Sequence, residues 1–199
     1  MQTKSDRRTH QERSEFTRAA LIQAARRLFI ENGFAKTATP EIVAAAQVTR
    51  GAMYHHFADK ADLFLAVAMQ CAQEVADSVD QGSEGAISPL EGLMQGAKAY
   101  FAAMTQDGRA QLLLVQAPSA LSIEQRLRIG ELSGEKELRE GLEAALPAST
   151  AARVPIAELT SLISAAFDQA ALAIATGASP KNYEAAMHLL LSQLVRPTA

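Results

Sequence analysis

The sequence is poor in the residues on which several protein classes depend. Its single cysteine, Cys71, excludes an internal disulfide framework and is typical of a protein from a reducing cytosol. Tryptophan is absent and aromatic residues make up 5% of the chain, so closely packed helices are favoured over a β-sandwich. No apolar run reaches the roughly 18 residues of a membrane-spanning helix, and the polar N-terminus does not resemble a signal peptide. We therefore expect a cytoplasmic, all-α protein.

Motifs for catalysis are also missing. The sequence contains no G-x-S-x-G elbow, no Walker loop, no dinucleotide-binding fingerprint and no Cys-x-x-Cys pair. Its histidines are His10, His55, His56 and His188. His55 and His56 are adjacent, and on a helix their side chains would point about 100° apart, which does not suit a shared metal ion. We expect no enzyme activity, no cofactor and no bound metal.

Charge is distributed unevenly along the chain. Residues 1–60 contain ten Lys/Arg and six Asp/Glu, a net charge of +4, and residues 61–199 contain nine and sixteen, a net charge of −7. A basic first third joined to an acidic remainder is expected of a DNA-binding head on a body that does not touch DNA. A segment with a charge of +4 also arises by chance, so charge alone leaves both interpretations open.

Residues 39–60, TPEIVAAAQVTRGAMYHHFADK, have the capping pattern of short helices joined by a tight turn. Thr39 is expected to cap a first helix that begins at Pro40. Thr49 would cap a second helix and Asp59 a third. Caps this close together predict a compact helix-turn-helix.

The second of these helices would have two different faces. Met53 and Phe57 lie four residues apart and would point inward. The opposite face, which carries polar groups and little aliphatic bulk, consists of Arg50, Gly51, Tyr54 and His55. Such a helix suits a major groove, which admits one helix and presents base edges and phosphates to it. The alternative for Tyr54 is that its ring packs against a neighbouring helix, and the same alternative applies to His56.

The pattern G-x-x-Y-x-H-F-x-x-K-x-x-L occupies residues 51–63, and an A-x-x-x-V-T turn precedes it at residues 44–49. In these motifs the sequence resembles the TetR family of transcriptional regulators, specifically over about residues 14–65 and only in architecture beyond them. The resemblance implies an all-α fold with an N-terminal three-helix helix-turn-helix DNA-binding domain joined to a larger C-terminal helical ligand-binding and dimerisation domain. The family usually has glycine where this chain has Gln47, so Gln47 must adopt a positive φ or the turn must differ.

The resemblance also assigns DNA contacts. The implied phosphate contacts, which position the head without reading sequence, are Thr39, Tyr54, His56 and Lys60. The implied base-facing residues are Arg50 and His55. Arg50 could bind guanine through O6 and N7, which contributes about 1–3 kcal/mol of discrimination. The implied DNA-binding set is completed by Thr49, Gly51 and Ala52.

We divide the chain into a disordered basic arm at residues 1–13, a helix-turn-helix DNA-binding domain at residues 14–60, and an effector-binding and dimerisation domain at residues 61–199. The arm could contact phosphates or a minor groove, or could be a solvated tail. Apolar periodicity predicts a helix over residues 14–32 that Gly33 ends. We expect Phe34 to fill the joint behind it.

The second half of the chain reads as further helices. The third helix of the head should continue to about Val79, followed by a loop and by a helix that begins at Ser88-Pro89. An apolar helix over residues 108–117 should stop at Pro118. A longer, more charged helix is predicted over residues 122–146.

An effector site is expected between the long third helix and the helices that extend to residue 176. Its candidate lining residues are Tyr100, Phe101, Met104, Gln116, Phe167 and Asp168. Asp168 could serve as a polar anchor, and Gln116 places an amide at the end of an aliphatic run. Apolar stripes of this kind also form ordinary cores, and that alternative stays open for each residue.

The last two predicted helices, over residues 155–176 and 180–194, are apolar on more than one side. The resemblance implies that they form a four-helix bundle with a second copy of the chain. The residues expected at this homodimer interface are Leu159, Leu162, Ile163, Ala166, Ala170, Met187, Leu190, Leu191 and Leu194. The alternative is that the two helices pack fully within their own chain.

We interpret the sequence as a DNA-binding transcriptional regulator, a ligand-responsive repressor that binds a palindromic double-stranded operator as a homodimer. Its effector would be a small apolar or amphipathic molecule, and no membrane partner is expected. An activating or ligand-independent role stays open. The rival interpretations are a helical dimeric interaction module without DNA binding and a small α-helical enzyme that uses the body pocket.

Overall fold

The computed structural model describes residues 4–195, with side chains from residue 11 onward, and every regular element in that range is helical. The all-α prediction is confirmed. The head and the long connecting helix are α1 (Lys4–Asn32), α2 (Thr39–Ala45), α3 (Arg50–His56) and α4 (Lys60–Ser83). The remaining α-helices are α5 (Pro89–Met104), α6 (Ala117–Ala120), α7 (Ile123–Gly130), α8 (Lys136–Ala145), α9 (Ala148–Ala151), α10 (Ile156–Ala175) and α11 (Pro180–Leu194). In the described range no helix is both long and apolar enough to span a membrane.

The first helix begins earlier than the sequence predicted. The backbone is helical from Lys4, so residues 4–13 are not the irregular arm that was expected, whereas residues 1–3 of that arm lie outside the described range. The prediction used apolar periodicity, which reports burial, but exposed helix formers such as Arg, Gln and Glu extend a helix without it. The Gln11 amide donates to Glu15 one turn later at 3.0 Å, a pair that supports an exposed helix. The predicted end at Gly33, which has a φ of 81°, is confirmed.

The helix-turn-helix forms largely as its capping pattern predicts. The Ala52 amide donates to Thr49 Oγ1 at 3.1 Å, and the Asp62 amide donates to Asp59 Oδ1 at 2.8 Å. Thr39 is not a cap: the helix includes it, and Ala38 takes the N-cap position, where its amide donates to the Glu41 carboxylate at 2.8 Å. The glutamate at N3 therefore supplies the cap, and the start of the helix moves by one residue.

Gln47 occupies the turn between α2 and α3 with a φ of 56°. This is the left-handed region that glycine favours, and a residue with a Cβ pays a steric cost of roughly 1–2 kcal/mol there. The chain therefore keeps the turn's shape without the glycine.

The helix α4 runs from the head into the body and supplies much of the core. Its buried stripe consists of Leu63, Phe64, Val67, Ala68, Cys71, Ala72, Val75, Ala76 and Val79. At the head end, the ring of Phe34 packs against Phe29 and Phe64 with centroid distances of 5.7 and 5.1 Å. The expectation that Phe34 fills the joint is confirmed.

The segment after α5 differs from the predicted α-helix. Gln111–Gln116 forms a π-helix that continues directly into α6, so Pro118 lies within a helix and does not stop the chain. The Ala117 amide donates to the carbonyl of Leu112, five residues back. Pro118 stands at the second position of α6, where a missing N–H is tolerated, and α6 ends at Ala120, with Leu121 as its extended C-cap.

The predicted helix over residues 122–146 is broken. It consists of α7 and α8 joined by Glu131–Glu135, in which Ser133 and Gly134 leave helical geometry. Gly134 has a φ of 118°, a conformation that glycine adopts readily and other residues rarely do. The prediction of one continuous helix over residues 122–146 is therefore wrong, because Gly134 makes a kink.

Candidate nucleic-acid interface and effector cavity

The helix α3 presents the polar face that the sequence predicted. Met53 is fully buried and Phe57 is 3% exposed, because both point into the head core. On the opposite side Arg50, Tyr54 and His55 are exposed. The head therefore offers a short helix whose outward side chains are hydrogen-bond donors, which is what a groove-reading helix requires.

Two side chains of the exposed face contact each other. The Arg50 guanidinium carbon lies 5.5 Å from the centroid of the Tyr54 ring, a cation–π contact between consecutive turns of α3. A Cβ placed on Gly51 would meet only Thr49 Oγ1, at 3.9 Å, so no bulky group covers this part of the helix. Ala52 on α3 and Thr39 at the start of α2 are half-buried. The packing alternative for Tyr54 is not supported, because 44% of the residue is exposed.

His56 lies at the edge of the face and is half-buried. Burial, with smaller contributions from the charges of His55 and Arg18, lowers the pKa of His56 below its usual 6.5. The imidazole is therefore mainly neutral at pH 7, and it can donate one hydrogen bond to a phosphate without adding a full charge.

Lys60 occupies a position that the sequence did not anticipate. Its Nζ donates to the carbonyls of Phe34 and Thr37 at 2.8 and 2.9 Å and lies 4.4 Å from the centroid of the Phe34 ring. The ammonium therefore holds the loop between α1 and α2 against the start of α4. One of its three donors is left over for a phosphate, and that contact stays a prediction.

A cavity of about 490 Å³ lies in the body between the end of α4, α5, the kink at Gly134, α8 and α10. Its size is within the range of roughly 300–1,000 Å³ typical of small-molecule sites. Its lining is mainly apolar and includes Val79, Ile87, Leu93, Ala97, Leu138 and Phe167. Among the residues predicted for an effector site, Tyr100 and Phe167 line this cavity.

Asp168 is joined to the cavity through Tyr100, whose hydroxyl donates to Asp168 Oδ1 at 2.5 Å. Burial raises the pKa of Tyr100 well above 10.0, and the charge of Asp168 adds to the effect. Burial also raises the pKa of Asp168 above 3.8; the hydrogen bond from Tyr100 opposes this rise and the charge of Glu135 reinforces it. Asp168 thus acts behind the lining and orients the Tyr100 hydroxyl.

Three of the predicted ligand residues lie elsewhere. Phe101 and Met104 are 2% and 1% exposed, belong to the core and are not among the residues that line the cavity. Gln116 is also outside the cavity. Its Nε2 donates to the Phe29 carbonyl at 2.9 Å, and its Oε1 accepts from the Phe34 amide at 2.8 Å. The Gln116 amide therefore links the π-helix to the head by two hydrogen bonds, and it is not a ligand group.

Ion pairs also link the head to the body. Glu74 on α4 accepts from Arg26 on α1 at 2.7 Å and from Arg109, just before the π-helix, at 2.9 Å. Burial alone would raise the pKa of Glu74, but the hydrogen bonds and charges of the two arginines lower it below 4.5. The three side chains link α1, α4 and the segment after α5, and no sequence motif marked them.

The surface predicted for dimerisation divides into two parts. Ala170, Met187 and Leu191 are at most 4% exposed and lie in the core of the single chain, so they are not free to meet a partner. They face inward because α11 packs on α5 and α10. The others form a half-buried or exposed apolar face on α10 and α11; they are Leu159, Leu162, Ile163, Ala166, Leu190 and Leu194. Leu162 is 72% exposed and Leu190 is 55% exposed.

Some cavity residues were missed by the sequence analysis. Gly96 and Gly141 belong to them, and a Cβ on Gly141 would come within 2.6 Å of Leu93 Cδ2. The sequence signal that could have identified them is a glycine inside an amphipathic helix, because a missing side chain permits another group to approach the backbone closely. Glu135 and Glu137 were missed as well, because acidic residues on a charged helix look like a solvated face. Among the residues whose side chains are described, no cluster of His, Cys, Asp or Glu could hold a metal ion.

Two family models match the chain. Residues 21–67 match the model described as "Bacterial regulatory proteins, tetR family", and residues 90–197 match the model described as "Tetracyclin repressor-like, C-terminal domain". Among curated relatives, the repressor AcnR of Corynebacterium efficiens is 32% identical over 84 residues, 42% of this chain and 44% of that protein. The regulator TtgR of Pseudomonas putida is 44% identical over 78 residues, 39% of this chain and 36% of that protein. The matches therefore span less than half the length of these relatives.

Solved structures resemble the whole fold. A TetR-family transcriptional regulator from Pectobacterium atrosepticum is 27% identical, with a TM-score of 0.66 over 99% of this chain and all of that one. A TetR-family regulator from Streptomyces coelicolor has a TM-score of 0.69 at 18% identity, over 92% of this chain and 95% of that chain. The arrangement of the head, the long helix and the helical body is thus a known one.

Proposed function

Because the chain belongs to the TetR family of bacterial regulatory proteins, we propose that it is a sequence-specific transcriptional repressor that releases its operator when a small molecule binds. The observation that carries this proposal is α3, whose Arg50, Tyr54 and His55 face solvent while Met53 and Phe57 anchor it in the head. The guanidinium would read a base edge, and Thr39, Tyr54, His56 and the remaining Lys60 donor would bind phosphates. We assign the protein to the cytoplasm, where bacterial DNA is found.

The operator would be bound by two copies of the chain. The exposed leucines on α10 and α11, Leu162 and Leu190 among them, form an apolar face that a second copy would cover. Two-fold symmetry would then place the two α3 helices in successive major grooves, about 34–36 Å apart, on a near-palindromic site.

The effector would act through α4. This helix has 24 residues, a length of about 36 Å; its C-terminal end contributes Val79 and Ser83 to the cavity, and its N-terminal end at Lys60 follows α3 after a short loop. The hydrogen bond from Gln116 to Phe29 and the ion pairs of Glu74 with Arg26 and Arg109 connect the same body segment to α1. A ligand would release DNA by binding more tightly to a conformation in which the distance between the two α3 helices does not match the operator.

The proposal is tested by selecting bound fragments from the source genome with the native protein and with Arg50→Ala/Tyr54→Ala. A palindromic motif is expected for the native protein, and its enrichment should be lost in the variant. Arg153→Ala, which removes an exposed arginine from the segment between α9 and α10, is the matched control and should keep the motif. A salt series should show a steep loss of affinity, because phosphate contacts release counterions.

The absence of any enriched motif, with a folded dimeric protein at moderate salt, would refute the regulator and favour the alternative of a dimeric interaction module without DNA binding. The matching family consists of transcriptional regulators, so neither that alternative nor an enzyme is favoured.

A further inference from the structure

The charged residues that line the cavity are both acidic. Glu135 and Glu137 both line it, and Asp168 lies directly behind Tyr100. Among the described residues that line the cavity there is no lysine, arginine or histidine. Carboxylates that share a cavity without a counter-charge disfavour an anionic ligand and favour a cationic one.

The cations on the same wall point elsewhere. Lys136 and Arg139 flank these residues on α8, but both are exposed, and neither lines the cavity. Lys136 instead lies 3.8 Å from Glu140, one turn along the surface. The acidic character of the cavity is therefore not cancelled by its own helix.

Glu137 has an acceptor that the described protein does not use. Its Oε2 is buried and has no hydrogen-bond partner among the described residues, although the side chain lines the cavity. Buried polar atoms in folded proteins are nearly always paired, and an unpaired acceptor is destabilising. A donor brought by a ligand would remove this cost.

Aromatic rings lie in the same cavity. Tyr100 and Phe167 meet edge to face with their centroids 6.0 Å apart, and both line the site. Aliphatic side chains complete the lining, among them Val79, Leu93 and Leu138. Aromatic faces attract cations, and aliphatic side chains bury the apolar body to which a cation is attached.

We propose that the effector is an amphipathic organic cation, with an apolar or aromatic body packed against Tyr100 and Phe167 and a positively charged N–H donor bound by Glu137 and Glu135. This inference rests on the proposed function only in naming the cavity as the effector site. The binding step itself needs neither DNA nor a second chain. A neutral donor would satisfy Glu137 without balancing the charge, and an anion would meet carboxylates with no counter-ion.

The test compares three probes that share one apolar body: 4-phenylbutylammonium, 4-phenylbutanol and 4-phenylbutanoate. Isothermal titration calorimetry of the full chain without DNA measures the affinity of each. The ammonium ion is expected to bind at least about tenfold more tightly than the alcohol, because a charge-assisted hydrogen bond is stronger than a neutral one. The carboxylate is expected to bind most weakly.

Variants locate the preference in the cavity. Glu135→Gln/Glu137→Gln should bring the affinity of the ammonium ion close to that of the alcohol and leave the alcohol nearly unchanged. Glu143→Gln removes an exposed carboxylate from the same helix outside the cavity, and it should retain the native preference. A thermal melt of each variant checks folding, and Glu137→Gln should melt no lower than the native protein, because the lost carboxylate had an unpaired oxygen.

The inference is overturned if the alcohol or the carboxylate binds as tightly as the ammonium ion, if none of the probes binds, or if the double variant keeps the preference. Its failure is distinguishable from failure of the proposed function, since operator selection is a separate measurement. Native protein that selects a palindrome but does not prefer the ammonium ion would refute the ligand class alone.

Discussion

Replacing Gln116 by leucine should weaken the joint between head and body. The side chain is 7% exposed, and it bridges the Phe29 carbonyl and the Phe34 amide. The Phe29 carbonyl would keep its bond from the Gly33 amide at 2.9 Å, but the Phe34 amide would lose its side-chain acceptor. Leucine has a similar volume, so the loss comes mainly from that one donor, and we expect destabilisation of about 1–3 kcal/mol.

Urea unfolding of the native and variant proteins at one chain concentration measures this loss, and thermal melting should show a decrease of roughly 2–12 °C. Gln111→Leu is the matched control, because Gln111 begins the same π-helix but is exposed. It should change stability by no more than about 0.5 kcal/mol. If the effector acts through this joint, Gln116→Leu should also reduce ligand-induced release of the operator while the cavity keeps its affinity.

Equal stability of the two glutamine variants would refute the reasoning, because it would mean that the Phe34 amide finds another partner at no cost. If a destabilised Gln116→Leu protein still releases the operator normally, the coupling between cavity and head would depend on the ion pairs of Glu74 with Arg26 and Arg109, or on α4, instead.

Glu74→Gln should destabilise the protein by about 2–4 kcal/mol, because it leaves the largely buried guanidinium groups of Arg26 and Arg109 without their carboxylate. The folded pKa of Glu74 lies below 4.5, so its contribution to the free energy of unfolding should be complete above that pH and be lost as the pH falls through the folded pKa. Urea midpoints of the native protein and of Glu74→Gln, measured over this pH range, would show the loss. A constant difference between the two midpoints down to pH 3 would contradict the prediction. Cys71 is fully buried and burial raises its pKa to about 11, so iodoacetamide at pH 8 should label it only in denaturant; rapid labelling of native protein would contradict this. If two copies pair through α10 and α11 as proposed, Leu162→Glu should be monomeric in size-exclusion chromatography with light scattering, whereas Ile123→Glu, at a similarly exposed site on α7, should stay dimeric; a dimeric Leu162→Glu protein would place the interface elsewhere.

The head was predictable because its determinants are local. The caps at Thr49 and Asp59 and the buried pair of Met53 and Phe57 act within one or two turns, and the spacing of these residues is enough to place them. The error at Thr39 has the same local character, since Glu41 reaches back to the Ala38 amide and begins the helix one residue earlier. The early start of α1 was missed because exposed helical turns carry no apolar period.

In the body, local signals were ambiguous. Gly134 and Pro118 each occur in helical contexts, and only packing decides that the first makes a kink and the second lies inside a helix. The apolar stripes of α5 and α10 could not be divided by sequence into core and cavity, so Phe101 and Tyr100 looked alike.

The sequence by itself determined the helical class, the helix-turn-helix and the residues on its exposed face, because caps and spacing act over a few residues. Only the tertiary structure decided where Gln116 and the cavity carboxylates lie. Gln116 meets partners 82 and 87 residues away in the chain, and Glu137 lines the same cavity as rings that other helices supply. A contact between distant segments depends on how whole helices pack, and such packing has no local period or spacing from which it could be predicted.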